Sequence, residues 1–171
     1  MKWNFIRVYV GRERVYFDVI LNIFFYFQDL ITIIDIKNFR NMYTLSDIAK
    51  MIDHSLLHPT MTDKDLMEGC QIAKEYNVAA VCIKPYFVKD AAEILKGSDV
   101  KVCSVIGFPH GNGTIQAKVF ETRLACKDGA TEIDMVVNAG KVLGEDWRYV
   151  KKEINAINKE CLKHGAILKV I

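Results

Sequence analysis

The chain has 171 residues, 51% of them apolar, with 23 Lys and Arg against 21 Asp and Glu. That length suits one domain with a sizeable core, and a net charge of +2 offers no electrostatic case for nucleic acid or an anionic membrane surface. The five cysteines, Cys70, Cys82, Cys103, Cys126 and Cys161, are odd in number and never form CxxC. This argues against a disulfide framework or a zinc site and for a reducing cytoplasm, each thiol reading as a small buried hydrophobe.

Composition changes near residue 42. Residues 1–41 hold ten of the eighteen aromatics and no Ala, Ser, Pro, Cys or His. The apolar run 15–36 in this stretch is broken by Asp18, Asn22, Gln28, Asp29 and Asp35. A membrane span needs about 18 apolar residues without such breaks, and no small-residue cleavage site marks a signal peptide. The expectation is an N-terminal extension over 1–41, translated from upstream DNA ahead of a natural start at Met42, and a separate domain over 42–171.

From Leu45 onward short apolar runs alternate with amphipathic stretches. Strands are predicted at 51–57, 79–84, 100–106, 132–138 and 167–171. Several are apolar at successive positions, as in parallel strands buried on both faces. Helices are predicted at 63–76, 86–96, 115–128 and 146–164. The first follows Thr62, with Asp65 in the capping-box position. The other three run to Gly97, Gly129 and Gly165, where a left-handed C′ residue costs glycine little. The pattern is α/β, four βα units and a fifth strand, with no hairpin signal.

An open doubly wound sheet and a (β/α)8 barrel both fit this repeat. The first βα turn, DHSLLHPT, lacks GxGxxG, and no GxxxxGK[ST] occurs, so the phosphate-cradling loops of nucleotide folds are absent. Charged residues at strand ends favour the TIM barrel, whose chemistry gathers at the C-terminal ends of its strands. Closing one takes eight strands and about 250 residues, so the expectation is an incomplete barrel of five strands and four helices.

Two ionisable groups lie inside apolar runs: Lys169 in ILKVI and Asp134 in TEIDMVVN. Alternate residues of a strand share a face, which groups Glu132, Asp134, Val136 and Asn138, and separately Ile167, Lys169 and Ile171. Facing one interior, Asp134 and Lys169 are either a structural ion pair or a Schiff-base lysine beside a proton-relaying carboxylate. His54 and His58 diverge on an extended segment, and no HExxH or acidic third ligand accompanies them. They read as a polar rim, and no metal site is predicted. His110 in GFPHGN reads as turn architecture. Lys84, after the second strand, meets either a phosphate or solvent.

The segments IDHSLLHP, AAVCIKP, SVIGFPHGN, TEIDMVVNAGK and ILKVI, in this order and spacing, closely resemble the deoxyribose-phosphate aldolase family. The resemblance covers 42–171 almost completely and 1–41 not at all. It implies a (β/α)8 barrel and a class I aldolase that needs no metal and no cofactor. Such an enzyme reversibly cleaves 2-deoxy-D-ribose 5-phosphate to D-glyceraldehyde 3-phosphate and acetaldehyde in deoxyribonucleoside catabolism. Lys169 resembles the Schiff-base lysine, and Asp134 the aspartate that moves a proton through water at the acetaldehyde-derived carbon. Cys82 matches a cysteine lining the substrate pocket. The implied partner is a small sugar phosphate, the implied assembly a homodimer, and the implied location the cytoplasm.

Two departures accompany the resemblance. His58 stands where the family often has lysine, and nothing here corresponds to its later KTSTG lysine or its phosphate-binding Gly-rich loops. The expectation is therefore a C-terminally truncated chain of impaired activity, with Lys169 solvated and largely protonated on a raw edge strand. The alternatives are an inactive gene remnant and another Schiff-base barrel aldolase of the transaldolase type.

Overall fold

The computed structural model describes residues 6–8 and 43–171. The elements in chain order are β1 (Ile6–Val8), α1 (Leu45–Ala49), β2 (Ile52–Leu56), α2 (Asp63–Glu75) and β3 (Ala80–Ile83), then α3 (Val88–Ile94) after a 3₁₀ turn at Pro85–Phe87. These are followed by β4 (Lys101–Ile106), α4 (Ile115–Lys127), β5 (Glu132–Met135), α5 (Ala139–Leu143), α6 (Trp147–Lys163) and β6 (Ile167–Val170). The chain resolves into two compact units, with the division falling inside β3 between Val81 and Cys82. Residues 98–100 join the first unit. The larger part of the predicted extension, and its reading as upstream sequence, lies outside the described residues.

In the first unit β2 pairs antiparallel with β1, Asp53 opposite Arg7. No hairpin signal announced this pairing. Helix α2 starts as its sequence predicts: the Thr62 hydroxyl accepts from the Asp65 amide while the Asp65 carboxylate accepts from the Thr62 amide. Leu66, Gly69, Cys70 and Ala73 form its buried face, the three- and four-residue spacing of a helical stripe. Gly69 sits where that stripe meets β2, and a Cβ there would collide with the Leu56 side chain.

In the second unit β4, β5 and β6 run parallel in that order. The centre is mostly apolar: Val102, Cys103, Val105, Ile106, Ile133 and Met135 are all buried, alongside the polar Ser104 and Asp134. The predicted strand at 132–138 stops at Met135. Asn138 leaves the ladder because its side chain caps α5, accepting from the Lys141 amide. Such local capping competes with strand pairing. Helices α4 and α6 end at the glycines expected of them, with Gly129 at φ 112° and Gly165 at φ 69°.

Helix α6 buries Val150, Glu153, Ile157, Glu160 and Cys161 on one side, so two carboxylates lie on an otherwise apolar stripe. Both are paired. Glu160 takes Arg123 Nε at 2.7 Å and Lys163 Nζ at 2.6 Å. These hydrogen bonds, Arg123 first, hold its carboxyl at about 2 against an ordinary 4.5. A depressed folded-state pKa stabilises fully above the unfolded value and is lost as pH falls through the folded one. Glu160→Gln should therefore be less stable than the parent at neutral pH. The two should converge between pH 4.5 and about 2. Denaturant midpoints across that range check this, and a constant difference would remove Glu160 from the acid response.

Candidate functional site

The register of β5 and β6 sets Asp134 directly across from Lys169 and Glu132 across from Ile167. Because side chains alternate, Glu132 and Asp134 share a face, and Lys169 reaches both: its Nζ lies 2.9 Å from Glu132 Oε2 and 3.1 Å from Asp134 Oδ1. Lys169 and Glu132 keep 18% and 19% side-chain exposure, whereas Asp134 keeps 3%. The amine is thus mostly withdrawn from water, which corrects the expectation of a solvated lysine. Two carboxylates replace water around it. The edge character of β6 appears instead at Ile167, which is 62% exposed.

Cys82, from β3, is buried and its Sγ donates to Asp134 Oδ2 at 3.4 Å. Lys169 and Cys82, two of the three residues that the family resemblance singled out, therefore both meet the third, Asp134. Cys103 joins them from β4: its ligand atom, that of Cys82 and that of Asp134 lie within 4.8 Å of one another. Burial above all pushes the Cys103 thiol well up, reinforced by its hydrogen bond to Cys82 and by the nearby Asp134 charge, with Lys169 opposing. Cys103 and Glu132 were not among the predicted site residues. Glu132 carried a legible signal, sharing the Asp134 face, but Cys103 in the apolar run KVCSVI looked like any core cysteine.

His54 belongs to the first unit, where burial lowers its pKa. His58 Nδ1 is 2.8 Å from Thr60 Oγ1, an arrangement local to its own turn. Lys84, at the end of β3, places Nζ 5.5 Å from the Tyr86 ring centroid, a cation–π distance. His110 is exposed in the loop after β4.

That loop is held by an ion pair the sequence did not reveal. Lys118 is fully buried on α4, and its Nζ lies 2.6 Å from Glu153 Oε1 on α6. It also donates to the carbonyls of Gly111 and, at 2.7 Å, Val136. The second Glu153 oxygen accepts from the Asn138 amide at 3.1 Å. One ammonium and one carboxylate thus tie together the segments leaving β4 and β5, on whose strands Cys103 and Asp134 stand. Gly111 is required there. Its φ is +66°, and a Cβ would run into the Val137 carbonyl.

A sequence model described as DeoC/LacD family aldolase matches residues 48–171. Deoxyribose-phosphate aldolase of Treponema denticola is 49% identical over 125 residues, 73% of this chain and 58% of that protein. The enzyme of that name from Caldanaerobacter subterraneus is 51% identical over 129 residues, 75% of this chain and 56% of that protein. Among solved structures, the tetrameric deoxyribose phosphate aldolase of Aeropyrum pernix superposes with a TM-score of 0.68 at 31% identity, over 74% of this chain and 53% of that one. An aldolase named QR15 gives 0.67 at 37%, over 72% and 54%. The chain spans little more than half the length of these relatives. Deoxyribose-phosphate aldolases are TIM barrels, and the β/α units here form part of one.

Removing one partner of a buried ion pair leaves an uncompensated charge, at a cost of about 3–5 kcal/mol. Lys118→Met should lower stability by about that much. Lys118→Met with Glu153→Leu should recover much of it, because an apolar pair replaces the ionic one. Urea unfolding of the parent and both variants tests this, and a near-neutral Lys118→Met would show that the pair holds nothing.

Proposed function

Because the chain belongs to the DeoC/LacD family of aldolases, we propose that it carries the nucleophile and acid–base half of a deoxyribose-phosphate aldolase. The reaction is the reversible cleavage of 2-deoxy-D-ribose 5-phosphate to D-glyceraldehyde 3-phosphate and acetaldehyde. The observation that carries this reading is Lys169 Nζ set against Asp134 and Glu132 on adjoining strands.

A lysine attacks a carbonyl as the free amine. Asp134 and Glu132 are within reach to take its proton, and low exposure limits competing water. In this reading Lys169 Nζ adds to the C1 aldehyde of the open-chain sugar, and loss of water gives the protonated imine. That cation accepts the electron pair of the C2–C3 bond as the C3 hydroxyl gives up its proton, through water, to Asp134. Glyceraldehyde 3-phosphate departs and an enamine remains. Asp134, acting through water, returns a proton to the terminal carbon, and hydrolysis frees acetaldehyde and Lys169. Cys82, hydrogen-bonded to Asp134, lines the space where the two-carbon fragment sits. The same reading takes the enzyme to be a cytoplasmic homodimer whose small-molecule partner is the sugar phosphate.

Borohydride reduction in the presence of acetaldehyde should label Lys169, and dihydroxyacetone should not replace it. Labelling by dihydroxyacetone alone would favour a transaldolase-type enzyme, and no labelling by either would favour an inactive chain. Asp134→Asn should leave the fold intact yet slow retro-aldol turnover by about 10²–10⁴-fold, the usual worth of a positioned proton-transfer group. Turnover within a few-fold of the parent would leave Asp134 a structural partner.

A further inference from the structure

We propose that Cys82, Cys103 and Asp134 form a binding site for a borderline-soft divalent cation of the zinc class, and that occupancy of this site shuts off Lys169. Its inhibitory consequence rests on the function proposed above; the binding itself does not. Three potential ligands from three successive strands, all buried, bring their donor atoms within 4.8 Å of one another. A tetrahedral zinc ion with Zn–S near 2.3 Å and Zn–O near 2.0 Å separates sulfur from oxygen by about 3.5 Å. Cys82 Sγ and Asp134 Oδ2 stand 3.4 Å apart. Two sulfurs and one carboxylate select zinc or cadmium over magnesium or calcium, which prefer all-oxygen shells. Three protein ligands leave a fourth position for water.

The charges can be accommodated. Each thiol gives up its proton to solvent as its sulfur bonds the ion, so two protons leave and no electrons move. Burial and the neighbouring carboxylate keep the Cys103 thiol protonated in the absence of metal, and a bound dication reverses that preference. Asp134 turns from Lys169 to the ion, while Lys169 keeps Glu132 at 2.9 Å. The partly exposed Lys169 and Glu132 side chains mark the way in from solvent. With the ion in place, Asp134 is no longer available for proton transfer and the two-carbon pocket beside Cys82 is filled.

The test uses cadmium chloride and zinc chloride on the whole chain. Cadmium should produce an ultraviolet thiolate charge-transfer band that saturates at one ion per chain, with about two protons released, as ligand deprotonation requires. Cys82→Ala and Cys103→Ala should each abolish the band, and Cys126→Ala should retain it. X-ray absorption of the zinc-loaded parent should show two sulfurs near 2.3 Å; this arm needs no variant to fold. A band that never saturates, a band that survives Cys103→Ala, or a shell of nitrogen and oxygen alone would overturn the site. Zinc at saturation should suppress acetaldehyde-dependent borohydride labelling of Lys169, and undiminished labelling with the site filled would overturn the inhibitory role. A chain that shows the band but never labels, with or without metal, would count against the aldolase reading and leave the cation site standing.

Discussion

The parallel register of β5 on β6 is the constraint on which the candidate site depends. Side-chain direction in a strand has a period of two, so a slip of one residue would turn Lys169 to the other face. As paired, Asp134 faces Lys169 and Glu132 lies on the same face. Apolar residues secure this register: Ile133 and Met135, which alternate with Glu132 and Asp134, are fully buried, and a slip would bring charge into their place. The alternation E-I-D-M is thus a packing instruction and a functional one at once, with the same residues that fill the core fixing where the carboxylates point.

Charge inside the second unit is managed by pairing rather than avoidance. Lys118 with Glu153, and Glu160 with Arg123 and Lys163, lie between α4 and α6 or at their edge. Desolvating such groups offsets much of their mutual attraction, so their use is better seen in what they hold. Glu160 joins the two helices. Lys118 and Glu153 together satisfy the Gly111 and Val136 carbonyls and the Asn138 amide, backbone groups of irregular segments that no strand or helix partner serves. Left buried and unpaired, each would cost as much as a lost hydrogen bond. The loops beyond β4 and β5 keep their shape because an ion pair serves as their hydrogen-bond partner.

The local environment also divides the roles of chemically similar groups. Cys70 and Cys161 are buried, and burial above all pushes their thiols to about 11 and about 12. They are inert core side chains. Cys82 and Cys103 are buried as well, yet they lie beside a carboxylate and, beyond it, an amine. Their shared approach to Asp134 separates them from the other cysteines.

The strands at 52–56, 80–83, 101–106, 132–135 and 167–170 and the helices between them were legible because apolar periodicity, caps and C′ glycines are local properties. Strand pairing order follows from the βα repeat, and the meeting of Asp134 with Lys169 follows from two-residue alternation along neighbouring strands. The family resemblance rests on the same short segments. Tertiary structure decided the rest. Glu153 and Lys118 lie 35 residues apart, and nothing in either helix alone shows that each charge has a partner. Cys103 became a neighbour of Asp134 only through the stagger of β4 on β5, and β1 paired with β2 without a turn sequence to announce it. Sequence carries what successive residues impose on one another through backbone geometry. Which distant charges neutralise each other, and which buried thiols face a carboxylate, depends on how helices and strands pack side by side.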